Sequence, residues 1–224
     1  REAQLGDISQ FVGRCRQRWC ESPTVNRVRR AWYYGVVALV WRGRASQHLK
    51  LHLGCGSQRL EGFINIDFRR TDATDLILNV VSLPFADGAA QRIEAYHFIE
   101  HLSACAASAA LRQWLRVLEP GGELIIECPD FDQACREYLA GNTGRLTDIF
   151  GAQRFEGDFH LYGYSADRLC ATLREIGFVS VTSGTAQDYH CQWGPCLRVE
   201  ATKPHAREQS WRRTGVATAP VAAT

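Results

Sequence analysis

The sequence predicts a doubly wound α/β fold built around a mostly parallel sheet. From Leu49 onward, short apolar runs alternate with longer helical patterns, which is the order of βα units around a parallel sheet. The first apolar run leads directly into two glycines, Gly54 and Gly56, where a strand can turn sharply beside a ligand. A chain of 224 residues with 46% apolar side chains can bury one full core and keep short flanking arms. We therefore expect one core domain over residues 49–202.

Seven strands are predicted from the apolar runs, and two amphipathic helices from periodic leucines. The strands are residues 49–53, 63–67, 76–79, 92–97, 123–128, 178–183 and 195–201. A helix before the fifth strand is indicated by an i, i+3, i+4, i+7 stripe of Leu111, Trp114, Leu115 and Leu118. The Pro-Gly-Gly run at 120–122 ends it. A later helix carries Leu169, Leu173 and Ile176 and is ended by Gly177.

Charge and cysteine content exclude several classes of protein. The 26 basic and 24 acidic residues leave a net charge of only +2, so no nucleic-acid partner is expected. The nine cysteines include no C-x-x-C pair, and no metal site is predicted from them. We expect reduced thiols in a cytoplasmic protein, with Cys55, Cys128 and Cys170 acting as small buried apolar residues.

Both ends of the chain differ in composition from the core. Residues 1–48 form a basic and aromatic arm, expected to be helical, with an apolar run at 31–41 between pairs of arginines. This run is shorter than the roughly 20 residues that span a bilayer. It predicts either a helix docked on the domain or a contact of residues 29–44 with the inner membrane surface. The chain begins at Arg1 and lacks methionine, so we expect a trimmed N-terminus, and residues 203–224 are expected to be disordered.

The most informative chemistry lies at the ends of the first two predicted strands. Asp67 follows Gly56 by eleven residues and ends the second strand, where its carboxylate can accept hydrogen bonds from both hydroxyls of a ribose. Asp67 could instead cap a turn. Leu60 stands where a dinucleotide-binding motif would have its third glycine, which disfavours a nicotinamide cofactor.

Over residues 49–202 the chain resembles the class I methyltransferases that use S-adenosylmethionine. It is most similar to the small methyltransferase-11-like enzymes that bacteria often encode with surface-polysaccharide genes. The blocks that match in order are residues 51–56, 62–67, 82–87, 97–102 and 116–124. This resemblance implies a Rossmann-like methyltransferase fold with a seven-stranded sheet, helices on both faces and S-adenosylmethionine as the cofactor.

The resemblance also implies which residues contact the cofactor. It implies that Gly54, Cys55 and Gly56 contact the methionine part and that Asp67 binds the ribose. It also implies that Asn79 and Val80 border the adenine and that His97 and Phe98 lie near the sulfonium. The family usually has aspartate where this chain has Asn79, and again near Gln91. Asparagine still accepts a hydrogen bond but brings no charge, which predicts weaker cofactor binding.

Methyl transfer to a hydroxyl acceptor calls for alignment and a base. The candidate bases are Glu100 and His101 after the fourth strand, and His160 within the aromatic segment 157–164. His101 could instead make a structural hydrogen bond, and the segment around His160 could be a mobile lid or a packed connection. Asp130, after the fifth strand, could face the acceptor or cap the next helix.

The function predicted from these residues is methyl transfer to an unidentified acceptor, for which a saccharide or another small molecule is the expectation. A catalytically inactive binding or scaffold protein with the same fold is the alternative, on account of Asn79, Gln91 and the unusual arm. A nicotinamide-dependent oxidoreductase ranks third. A nucleic-acid methyltransferase is disfavoured because the arginines cluster in the flanking arms.

Overall fold

The structure is a computed structural model that describes residues 48–155 and 157–205. The predicted arm up to residue 47, its proposed membrane contact at 29–44 and the tail from residue 206 lie outside the described residues. Residues 203–205, assigned to the tail from the sequence, pack on the domain, where the Lys203 ammonium donates to the carbonyls of Arg116 and Leu118 at 3.1 and 2.6 Å. Within the described ranges, no helix is long and apolar enough to cross a membrane.

Seven strands form a single sheet, as the sequence predicts. They are β1 (Leu49–Leu53), β2 (Ile64–Asp67), β3 (Leu76–Ile77), β4 (Ala90–Tyr96), β5 (Leu118–Pro129), β6 (Val179–Thr185) and β7 (Cys196–Thr202). Their order is β3-β2-β1-β4-β5-β7-β6, and β7 runs antiparallel to both of its neighbours. The chain moves outward from β1 to β3 and then restarts at β4 on the other side of β1. Ligands bind at such a switch point, outside the carboxyl ends of the strands.

Four α-helices accompany the sheet in the part of the chain that the structure describes, and these four follow β4. They are α1 (Ala104–Val117), α2 (Phe131–Leu139), α3 (Leu146–Phe150) and α4 (Ala166–Ile176). The connections before β4 contain no α-helix in the described part of the chain. Residues 54–63, 68–75 and 78–89 therefore reach the sheet edge as loops.

Side-chain caps and buried stripes explain where the two predicted helices lie. Ser103 caps α1, and the predicted stripe residues Leu111 and Trp114 are fully buried, with the Trp114 indole donating to the Val80 carbonyl at 3.1 Å. Helix α4 ends at Gly177, whose φ of +118° gives the predicted left-handed cap.

The fifth strand is longer than predicted. The sequence places Leu118 in the helical stripe, but α1 ends at Val117 and Leu118 pairs with Ala90 of β4. Pro120 cannot donate an amide hydrogen within a helix, so the chain leaves the helix before it and becomes extended. The strand then continues through the glycines to Pro129.

One buried carboxylate holds the sheet and an overlying loop together. Glu127 of β5 is fully buried and accepts a hydrogen bond from the Arg198 guanidinium of β7. It also accepts from the backbone amides of Gln187 and Asp188, at distances between 2.8 and 3.1 Å. A buried charge of this kind is tolerated only when it is paired and hydrogen-bonded. Glu127 therefore fixes the loop between β6 and β7 against the carboxyl end of β5.

Replacing Glu127 with alanine is expected to lower the free energy of unfolding by about 3–5 kcal/mol, because Arg198 and two amides lose their buried acceptor. Glu123→Ala is the matched control, since this carboxylate lies on the same strand but is 54% exposed in its pair with Arg92. The control should change the unfolding free energy by less than about 1 kcal/mol. Urea denaturation of both variants measures the difference, and equal losses would contradict the role given to Glu127.

Candidate functional site

A cavity of about 680 Å³ lies at the carboxyl ends of β1, β2, β4 and β5. The glycine turn after β1 and Asp67 at the end of β2 form one side of it. The ends of β4 and β5, the segment 147–160 and the β6–β7 loop contribute the other side. Its volume is in the range of ligand pockets, which is about 300–1,000 Å³.

The glycine turn is shaped by two residues with positive φ. Gly54 has φ +71° and Gly56 has φ +51°. A Cβ on Gly54 would lie 2.2 Å from the Phe98 ring, whereas a Cβ on Gly56 would meet nothing within 4 Å. The amides of Gly54 and Cys55 both donate to the Ile66 carbonyl, at 2.8 and 3.1 Å. The turn is thus held by protein hydrogen bonds, and Gly56 leaves open space beside the cavity.

Asp67 joins the end of β2 to this turn. Its carboxylate is only 5% exposed and accepts from the amides of Gly56 at 2.9 Å and Arg69 at 2.8 Å, one on each oxygen. The bond to Arg69 is the turn-capping contact considered from the sequence. Because each carboxylate oxygen has two acceptor sites, one on each oxygen stays available for a ligand hydroxyl. Asp67 also lines the cavity, so capping and ligand binding are compatible there.

The predicted adenine residues lie apart from the cavity wall. Asn79 is exposed and its side-chain oxygen accepts from the Val81 amide at 3.0 Å. Val80 is buried in the core. Neither is among the described residues that line the cavity. Phe68 does line it, directly after Asp67, with 56% of its surface exposed, and its position after the candidate ribose residue is the sequence signal for it.

His97 and Phe98 lie at the end of β4, as predicted, and both line the cavity. The His97 ring stacks on His190 of the β6–β7 loop with centroids 4.0 Å apart. Burial and the neighbouring His190 lower the pKa of His97 to about 3, so this imidazole is neutral. Its Nε2 is 3.5 Å from the Cys196 thiol.

The β6–β7 loop is a part of the site that sequence reasoning missed. Asp188 accepts hydrogen bonds from the backbone amide and the imidazole of His190. Burial alone would raise the pKa of Asp188, but these bonds outweigh it and lower the pKa. Tyr189 and Trp193 complete this aromatic wall, and their rings pack edge to face at 5.1 Å. The only sequence signal is the density of aromatic and histidine residues between 189 and 193.

The three predicted bases come together although His160 lies about sixty residues along the chain from the others. The His101 and His160 rings are 5.0 Å apart, edge to face, and both line the cavity beside Glu100. The backbone amides of Leu161 and Tyr162 donate to the Glu100 carbonyl at 2.8 and 3.2 Å. Segment 157–164 is therefore hydrogen-bonded to the turn that follows β4, which matches the packed connection rather than a free lid.

Burial sets the charge of these three groups. It lowers the pKa of His101 and of His160, so both imidazoles are neutral near pH 7. It raises the pKa of the Glu100 carboxyl to about 8. Neutral imidazoles can accept a proton or donate a lone pair to a ligand.

Asp130 adopts the second of its two predicted roles. Its carboxylate accepts from the Gln133 amide at 3.0 Å and caps α2. It is not among the described residues that line the cavity.

Comparisons with known proteins agree with this architecture. Residues 55–126 match the family described as a methyltransferase domain. A solved S-adenosylmethionine-dependent methyltransferase from Methanosarcina mazei is 15% identical, with a TM-score of 0.51 over 73% of this chain and 96% of that one. Another from Thermotoga maritima is 16% identical, with a TM-score of 0.51 over 80% and 95%. None of the curated proteins matches the chain.

These likenesses establish the methyltransferase fold. The domain match over residues 55–126 supports S-adenosylmethionine as the cofactor. The residues present fit that cofactor: Gly56 leaves space that a Cβ would enter, and Asp67 retains acceptor sites for a ribose.

Paired glycine substitutions test the geometry of the turn. Gly54→Ala should lower the free energy of unfolding by about 2–4 kcal/mol, because the new methyl collides with Phe98 in a left-handed backbone. Gly56→Ala should cost only about 1–2 kcal/mol but weaken S-adenosylhomocysteine binding roughly tenfold, since its methyl enters the cavity side. Urea denaturation and calorimetric titration measure the two effects. Unchanged affinity in Gly56→Ala would remove this turn from the cofactor site.

Proposed function

We propose that the chain transfers a methyl group from S-adenosylmethionine to a small polar acceptor bound in the same cavity. The observation that carries this proposal is the division of one cavity into two chemically different sides. One side has the glycine turn and a carboxylate suited to a ribose, and the other has neutral imidazoles and a buried carboxyl.

On the cofactor side, Gly54, Cys55 and Gly56 would contact the methionine part, and Asp67 would accept from the ribose. The exposed ring of Phe68, beside Asp67, offers an apolar face for the adenine. Asn79 and Val80 stay predictions for the adenine, since both stand away from the cavity lining. The cofactor supplies an electrophilic methyl group on a sulfonium, and the protein supplies alignment.

On the acceptor side, the walls combine histidines, carboxyl groups and aromatic rings. His101 and His160 are neutral, and either could take a proton from an acceptor hydroxyl as the methyl group is transferred. Hydroxyl-rich molecules such as saccharides pair with carboxylates and stack on aromatic rings such as Tyr189 and Trp193. A saccharide or another small polar molecule is therefore our proposed acceptor, and the link to surface polysaccharides rests on the family resemblance.

The inactive scaffold alternative is not favoured. A scaffold would need neither the open space at Gly56 nor two half-buried neutral histidines facing a cavity. The free thiols of the seven described cysteines support a reducing compartment, and we propose the cytoplasm.

Calorimetric titration with S-adenosylmethionine and S-adenosylhomocysteine tests the proposal, with NAD as the control ligand. We expect micromolar binding of both sulfur nucleosides and none of NAD. Asp67→Ala should weaken this binding by roughly 10–100-fold, because the ribose loses a charged acceptor. Asp87→Ala, whose carboxylate is 80% exposed on the surface, is the matched control and should bind normally. Absence of binding by the unaltered protein would refute a cofactor-dependent function.

A further inference from the structure

We propose that Glu100, His101 and His160 bind one divalent transition-metal ion on the acceptor side of the cavity. The three side chains offer a carboxylate oxygen and two imidazole nitrogens, and these ligand atoms lie within 4.8 Å of one another. Ligand atoms on one ion at about 2.1 Å are at most about 4.2 Å apart, so closure requires movements below about 1 Å. Rotation of the side chains supplies movements of this size.

The hydrogen bonds of both histidines prepare them as ligands. His101 Nδ1 lies 2.9 Å from the Phe159 carbonyl oxygen, and His160 Nδ1 lies 2.8 Å from the Asp148 carbonyl oxygen. Because a carbonyl only accepts, each Nδ1 carries the hydrogen and each Nε2 keeps its lone pair. Metal-binding histidines usually donate their other nitrogen in this way, which fixes the tautomer and the ring orientation.

Glu100 supplies the second, independent observation. Its side chain is 3% exposed and lines the cavity, yet neither oxygen accepts a hydrogen bond from another described residue. The nearest basic nitrogen is His97 Nδ1 at 3.6 Å, which is too far for a hydrogen bond. Burial without hydrogen-bond partners destabilises the charged form of the carboxyl group, which raises its pKa. A cation bound beside it would remove this destabilisation by stabilising the carboxylate.

The choice of donors points to a transition metal. Two imidazoles and a carboxylate suit ions such as Zn²⁺, Co²⁺ or Fe²⁺, whereas Mg²⁺ and Ca²⁺ prefer all-oxygen sites. A second group, His97, Asp188 and His190, is also close enough to share an ion. There, however, the two rings stack at 4.0 Å and Asp188 is already hydrogen-bonded to His190. The first group therefore fits an ion better.

Three protein ligands leave coordination positions open toward the cavity. In the proposed methyl transfer, an acceptor oxygen bound at such a position would be oriented by the ion and would release its proton to solvent. The ion would then replace the two imidazoles as the group that activates the acceptor, since both Nε2 lone pairs are used as ligands. This role rests on the proposed function, whereas binding of the ion does not.

The experiment titrates the tag-free, metal-stripped protein with Co²⁺ and records its visible absorption, followed by Zn²⁺ competition. We expect one Co²⁺ per chain, displaced by Zn²⁺, with affinity at least about 100-fold weaker in Glu100→Gln and in His160→Ala. His190→Ala removes a ligand of the second group, and His48→Ala removes an exposed imidazole whose side chain is 66% accessible. Both should bind Co²⁺ as the unaltered protein does.

Thermal unfolding separates loss of the site from loss of the fold. Zn²⁺ should raise the Tm of the unaltered protein and of His190→Ala, but not that of Glu100→Gln, because only a bound ion stabilises the folded state. Without metal, Glu100→Gln should unfold no earlier than the unaltered protein, since it removes an unpaired buried carboxyl.

No stoichiometric Co²⁺ binding, or binding lost only in His190→Ala, would overturn the proposed site. Titration with S-adenosylhomocysteine on the same samples keeps the two proposals distinct. Nucleoside binding without Co²⁺ binding would refute the metal site alone. Co²⁺ binding without nucleoside binding would support the metal site and contradict methyl transfer.

Discussion

The buried carboxylate of Glu127 is the constraint on which the candidate site depends. It lies between β5 and the antiparallel strand β7, and its charge needs both the Arg198 guanidinium and the amides of residues 187 and 188. Those amides begin the loop that forms the aromatic wall of the cavity. Satisfying one charge inside the sheet therefore places Asp188, Tyr189 and His190 over its carboxyl edge.

Three acidic side chains around the cavity differ in their hydrogen-bond partners, and these partners determine the role of each carboxyl group. Asp67 accepts from two backbone amides, and Asp188 accepts hydrogen bonds from His190 that lower the pKa of Asp188. Glu100 is as deeply buried but receives no hydrogen bond from another described residue. Two of these three carboxyl groups are thus held by protein hydrogen bonds, whereas both oxygens of Glu100 lack such a bond and can serve a ligand.

The sequence predicts those helices and strands that are marked by an apolar run or by a residue that ends the element. Strand β1 and the cap at Gly177 lie where predicted, because an apolar run and a C-terminal glycine mark them. For helix α2 the sequence predicts only a cap at Asp130 and no bounds, because its apolar stripe is short and Ala134 is its one fully buried residue. The contact between His160 and Glu100 joins distant parts of the chain, and no periodicity encodes it. Asn79 and Val80, carried over by resemblance, stay predictions.

The two sides of the cavity are held by different kinds of structure, so that substitutions on one side need not change the other. The cofactor side is built from the parallel strands β1 and β2, where the Ile66 carbonyl and the Asp67 carboxylate bind the glycine turn directly. The acceptor side comes from segment 147–160 and the β6–β7 loop, which are joined to the sheet through the Glu100 carbonyl and the Glu127 carboxylate. Substitutions in these connections can alter the acceptor while leaving the cofactor contacts intact, because the backbone hydrogen bonds of the two sides do not share partners. Under the proposed function, the acceptor is therefore selected by the residues after β4 and the connections after β5, and the cofactor by the first two strands.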